Sequence, residues 1–105
     1  MLIVLDKDRE LLLFASIAEA ERYLEAIDVQ NLEYEFCDEL GQRFVGEITS
    51  LITTFRQGAF ALRPEGSADS AFPSGMLARA IHLGRPSGDV TSLSELKIHL
   101  ERHTA

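Results

Sequence analysis

The sequence predicts an α+β domain, a mainly antiparallel sheet of about five or six strands packed against three helices. Three observations carry that expectation. Period-two apolar segments come in closely spaced groups, helix-capping patterns stand at two separate points, and strands precede most of the helices instead of alternating with them. A chain of 105 residues fits one domain, 1–105, and folding should bury roughly 60–70% of the surface that the unfolded chain exposes. Hydrophobic content of 46% and charged content of 26% match ordinary globular usage and exclude disorder.

The opening reads as a hairpin: Leu2 to Leu5, a polar turn Asp6 to Arg9, then Glu10 to Phe14. Ser16-Ile17-Ala18-Glu19 has capping-box spacing and starts a helix over about 17–27. Its apolar stripe is Ile17, Ala20, Tyr23, Leu24 and Ile27, with Glu19, Glu21, Arg22 and Glu25 facing water. The pattern then switches to period two, setting Leu32, Tyr34 and Phe36 on one side and Glu33, Glu35 and Cys37 on a solvent-facing side. Asp38-Glu39-Leu40-Gly41 supplies a turn, and a strand over about 42–48 pairs back antiparallel. Residues 49–58 suit either a helix face or a strand, and their β-branched residues favour the strand. Another strand, Ala59 to Arg63, precedes the longest loop, Pro64 to Ser70. A second helix is expected over about 74–83 with Met76, Leu77, Ala80 and Ile81 as its core stripe, ending at Gly84. Ser92-Leu93-Ser94-Glu95 repeats the capping box and starts a last helix over about 93–103.

Charge is distributed unevenly. Twelve of the seventeen acidic residues lie in residues 1–50 against four basic ones, a balance of −8 within a net charge of −7. Such a field repels nucleic acid and anionic membranes and steers basic partners. The acidic residues expected to meet a partner are Glu33, Glu35, Asp38, Glu39 and Glu47, with Glu47 placed near the Glu33/Glu35 side if the strands pair in register. The lone Cys37 excludes an intramolecular disulfide and fits a reducing compartment, and the apolar runs are too short for a signal core or a membrane span. Cytoplasmic residence is the expectation.

No catalytic, metal or cofactor signature stands out. His99 and His103 are four apart, but His99-Leu100-Glu101-Arg102-His103 matches neither orientation of the zinc-protease helix motif, and a helix-end role is expected for them. His82 is expected to be exposed. Cys37 sits between Glu35 and Asp38-Glu39, whose field disfavours a thiolate. The carboxylate pairs Glu33/Glu35 and Asp38/Glu39 have no evident cleft, and no Gly-rich phosphate loop or nucleophile elbow occurs. The reading is a non-enzymatic chain without cofactors.

The stretch from Ser16 to Glu35, with Ile27-Asp28-Val29-Gln30-Asn31-Leu32-Glu33-Tyr34 at its centre, resembles a group of small bacterial immunity proteins. So does the turn Asp38-Glu39-Leu40-Gly41-Gln42-Arg43, with one residue inserted before the arginine. The likeness covers about residues 1–50 and carries no set of contact residues with it. It implies a protein that binds a cognate toxin and blocks it, and an acidic inhibitor suits a toxin with a basic active site. An accessory or regulatory protein-binding module is the alternative, and the oligomeric state is left open.

Overall fold

Two strands, β1 (Leu2–Asp6) and β2 (Glu10–Phe14), pair antiparallel around the Asp6 to Arg9 turn, as the hairpin pattern predicts. The Asp6 carboxylate accepts from the backbone of Asp8 and Glu10 at 2.9 Å each, and Arg9 takes a positive φ of 64°. This computed structural model describes residues 1–53 and 58–104. Among the described residues six strands form one sheet in the order β5-β4-β3-β1-β2-β6. The inner strands are β3 (Tyr34–Asp38), which pairs antiparallel with β1, and β4 (Arg43–Ser50). The outer ones are β5 (Ala59–Glu65), antiparallel to β4, and β6 (His82–Arg85), parallel to β2. Class and mainly antiparallel character agree with the sequence; the single parallel pair was not expected.

Both faces of the central hairpin are covered, which explains its unbroken apolar runs. Leu2, Val4, Leu12, Phe14 and Phe36 pack on one face against α1 (Ile17–Tyr23) and α2 (Ala26–Gln30). Ile3, Leu5, Leu11, Leu13 and Cys37 pack on the other against α3 (Ala71–Arg79) and α4 (Leu93–Thr104). Strands buried on both sides lose the polar alternation that marks a half-exposed sheet. The Glu35/Cys37 side of β3 is therefore not solvent-facing as expected: Cys37 is 0% exposed, and its Sγ lies 3.2 Å from Met76 Sδ.

Among the described residues four helices replace the expected three. The 17–27 helix is broken because Leu24 (φ −82°, ψ 147°) and Glu25 (φ −87°, ψ 135°) are extended. The break turns Ala26 and Val29 into the core and Ile27 outward, leaving Ile27 45% exposed and Tyr23 57% exposed. The second helix is also shifted, to 71–79, and the chain beyond it becomes β6. Arg9 accounts for that ending: its Nε donates to Arg79 O (2.8 Å) and its carbonyl accepts Ile81 N–H (2.9 Å). These bonds draw residues 81–85 beside β2, and Ile81 is exposed instead of buried. Strand β5 extends through Pro64 and Glu65, so the loop begins at Gly66; proline is tolerated there because β5 is a sheet edge. The strand expected over 49–58 holds only to Ser50 as part of β4, and residues 54–57 lie outside the described residues.

The serine half of each capping box forms. Ser16 Oγ accepts Glu19 N–H and Ser92 Oγ accepts Glu95 N–H, each at 3.1 Å. Gly41, at φ 90°, packs so closely on the backbone of Asp69 and Ser70 that any Cβ would overlap it.

Candidate functional site

The expected acidic face does not form one free surface, because most of its carboxylates are tied to other elements. Glu35 on β3 makes a two-pronged ion pair with Arg79 of α3, at 2.6 and 3.1 Å. Glu47 on β4 pairs with Arg63 of β5. Asp38 Oδ1 accepts from Leu40 N and Gln42 N at 2.9 Å each, fixing the β3–β4 turn. Glu39 binds the N-terminal ammonium through Oε1 (3.1 Å) and His99 Nε2 through Oε2 (2.5 Å), joining this turn to α4. His99 thus acts toward Glu39, which the sequence did not reveal; the side chain of His103 lies outside the described residues. The β3–β4 pairing is confined to Phe36/Phe44 and Cys37/Arg43, so it sets no ladder pair between Glu47 and the Glu33/Glu35 positions.

Glu33 belongs to a different environment. It stands just before β3, 2.7 Å from Lys7 Nζ in the hairpin turn, since Asp6 pairs with Tyr34 and brings that turn beside the end of α2. Asp28 of α2 completes the group and accepts from Tyr34 Oη at 3.4 Å. The carboxyls at Asp6, Asp8, Glu25, Asp28 and Glu33 all act on this end, with Lys7 as its ammonium. The titrations reflect the crowding. The hydrogen bond to Glu33, then burial and the charges of Glu33 and Glu25, holds the Asp28 carboxyl above its usual range. Glu33 is held below its range, first by the hydrogen bond from Lys7 and then by that with Asp28. The ammonium of Lys7 is raised in turn by Glu33. Burial, followed by the charge of Asp28, pushes the Tyr34 phenol up to about 12.

Leu32 crowns this end. Helix α2 closes with Leu32 N–H on Val29 O and Glu33 N–H on Asp28 O, both 3.1 Å, and with Leu32 at φ 57°. This is the Schellman pattern, whose left-handed position normally holds glycine. Here that position holds a leucine that is 86% exposed.

Of the five residues expected from the sequence, only Glu33 lies in this group. Asp6, Asp8, Glu25, Asp28, Lys7 and Leu32 were missed as a unit. The signal that could have found them is the adjacency of β1 and β3, which would have set the hairpin turn and the α2 terminus at the same end of the sheet.

The chemistry available here is electrostatic and apolar contact. Among the described residues no group of three His, Cys, Asp or Glu side chains is placed to hold a metal ion. Burial and the neighbouring Asp38 push the Cys37 thiol up to about 12, which keeps it protonated near neutrality. Among the described residues no helix is long and apolar enough to cross a membrane. No family model, curated protein or solved structure matches the chain.

Proposed function

We propose that the protein is a non-enzymatic immunity protein that binds and occludes a cognate bacterial toxin through an acidic surface. The observation carrying this reading is the gathering of carboxyls at the Lys7 end, where Asp8, Asp28 and Glu33 act on Lys7, Glu25 on Asp28 and Asp6 on Tyr34, next in sequence to the 86% exposed Leu32. An exposed apolar side chain next to an acidic group suits a partner with a basic rim and an apolar recess. The carboxylates steer the encounter, and desolvation of the apolar anchor slows its reversal. A toxin acting on a polyanion carries basic groups where it grips that substrate, so an acidic cap there both binds and blocks. Glu35 and Glu47, each neutralised by an arginine, contribute less steering than Asp28, and Glu33 shares its charge with Lys7 inside a group that stays acidic in sum.

Co-expression with the adjacent open reading frame tests the reading. Immunity requires that the neighbour arrest growth alone, that this chain restore growth, and that the two co-purify. Reversing Asp28 or Glu33 to lysine should slow association about tenfold at low salt and by less at high salt, while reversal at Glu47 should have a smaller effect. A harmless neighbour with no complex would leave the accessory binding module as the better assignment. An association rate indifferent to both salt and charge would remove the acidic end from the interface.

A further inference from the structure

Strands β3 and β4 pair only at Phe36/Phe44 and Cys37/Arg43, so Glu35, one residue before the first pair, has no ladder partner on β4. Helix α3 packs on this side of β3, and where the two strands part there is a cavity of about 160 Å³ lined by Glu35, Phe36, Arg43, Phe72, Met76 and Arg79. Arg43 is the ladder partner of Cys37 and so leaves the sheet on the α3 face, where its guanidinium stands 5.0 Å from the centre of the Phe72 ring. The ring attracts the cation but supplies no oxygen acceptor. Glu35 does not supply one either: both its oxygens accept from Arg79, at 2.6 and 3.1 Å. Among the described residues no carboxylate or carbonyl accepts from the Arg43 guanidinium. Two arginines against one carboxylate leave the cavity one uncompensated positive charge, in a chain whose net charge is −7.

We propose that this cavity binds a small monocarboxylate with an apolar body, the carboxylate on Arg43 and the body on Phe72 and Met76. Each part of that ligand answers a residue. A guanidinium presents N–H donors in a fixed fork that matches the two oxygens of a carboxylate, so Arg43 can grip both of them while it keeps its place at the ring. Phe72 and the buried Met76 supply an apolar wall that belongs to the core beneath α3. One uncompensated charge suits a monoanion, and the Glu35 carboxylate opposes the second charge of a phosphate monoester. The volume is about half that of the smallest pockets for drug-sized ligands, roughly 300 Å³, which limits the body to the size of a single six-membered ring.

Benzoate titrated into the isotopically labelled full chain, followed by the amide resonances, tests the site. The expected result is saturable shifts centred on Glu35, Arg43, Phe72 and Met76, with a Kd of about 1 mM, as befits so small a ligand. Benzamide keeps the ring without the charge, and acetate keeps the charge without the ring; each should bind at least about tenfold more weakly. Arg43→Gln should weaken benzoate binding by about tenfold or more, and Phe72→Leu, which keeps apolar bulk but removes the ring beside the guanidinium, severalfold. Urea midpoints show whether either variant is folded, and the benzamide and acetate comparisons, made on the wild-type chain, decide the matter if neither is. Benzoate that leaves these amides unmoved, benzamide or acetate that binds as tightly, or a folded Arg43→Gln that binds like wild type would overturn the proposal.

Discussion

Replacing Leu32 by glycine should stabilise the fold while weakening any complex formed through the acidic end. A left-handed backbone costs an L-residue with a Cβ about 1–2 kcal/mol, and Leu32 adopts φ 57°. Its side chain is 86% exposed, so truncation forfeits little burial. Glycine adds unfolded-state entropy, costing roughly 0.5–1 kcal/mol, which leaves a net gain of about 0.5–1 kcal/mol. Leu32→Ala separates the two effects, since alanine retains the Cβ and therefore the strain but loses the apolar anchor. Urea unfolding should show a higher midpoint for Leu32→Gly at unchanged slope, with Leu32→Ala close to wild type. In a complex with the toxin proposed above, if the adjacent open reading frame encodes one, both variants should dissociate faster by a similar factor. A less stable Leu32→Gly would refute the backbone reasoning. Unchanged dissociation in both variants would refute the anchor.

Arg85→Ala should cost about 3.5 kcal/mol: the guanidinium sits 4.4 Å from the Phe14 ring centre and 4.8 Å from that of Tyr23, each contact worth about 1 kcal/mol, and it donates to Leu13 O at 2.6 Å, a charged hydrogen bond of about 1.5 kcal/mol. Arg85→Lys should lose more than half of that, as an ammonium cannot cover both ring faces while reaching the carbonyl; urea midpoints equal to wild type would contradict both estimates. Gly46→Ala should destabilise by about 1–3 kcal/mol because its Cβ would overlap Val29 Cγ1, and thermal unfolding of Gly46→Ala with Val29→Ala should show partial rescue and not additive loss. Asp28→Asn should raise stability near about pH 7 and add nothing near about pH 3, because a carboxyl raised above its usual 3.8 opposes folding once ionised, so its unfavourable contribution grows as pH rises through the folded-state value. Glu33 has the opposite sign, its support being present above the usual 4.5 and lost as pH falls through the depressed value, so Glu33→Gln should weaken the neutral fold and leave the acid one unchanged in urea titrations across pH.

Local chemistry made much of the fold legible. Ser16 and Ser92 announce their helices because the cap is read within four residues, and the Asp6 turn sits inside a hairpin whose partners are adjacent in sequence. What failed was set at long range. His82 to Arg85 carries no strand signature of its own; it is strand because Arg9, seventy residues earlier, holds the chain beside β2. The helix break at Leu24 was hidden because Leu24 and Ala26 both remain buried, and only the change in phase between them moves Ile27 outward. The end of α2 was illegible for a different reason: its capping motif uses leucine where glycine would have given the sign. Charge counting located the acidic half of the chain but could not tell paired carboxylates from unpaired ones, because Arg63, Arg79 and Arg85 all arrive from the other half.

That pairing decides where the net charge of −7 has force. Glu19, Glu35 and Glu47 each meet an arginine from a distant element; such pairs are half-exposed and add little to stability, but they cancel charge where they stand. Repulsion is left concentrated at the Lys7 end. There Asp28 shares a hydrogen bond with another carboxyl, and the next turn forces a leucine into a glycine conformation. Each feature works against folding, and a single amide or glycine substitution would relieve each one independently. Arginine partners were within the chain's means, since it supplied them to the other acidic residues. Local penalties gathered at one exposed surface, with a compensating interaction elsewhere for comparable groups, fit a surface kept for contact, and under the proposed immunity reading they favour this end over β4 as the place where the partner docks.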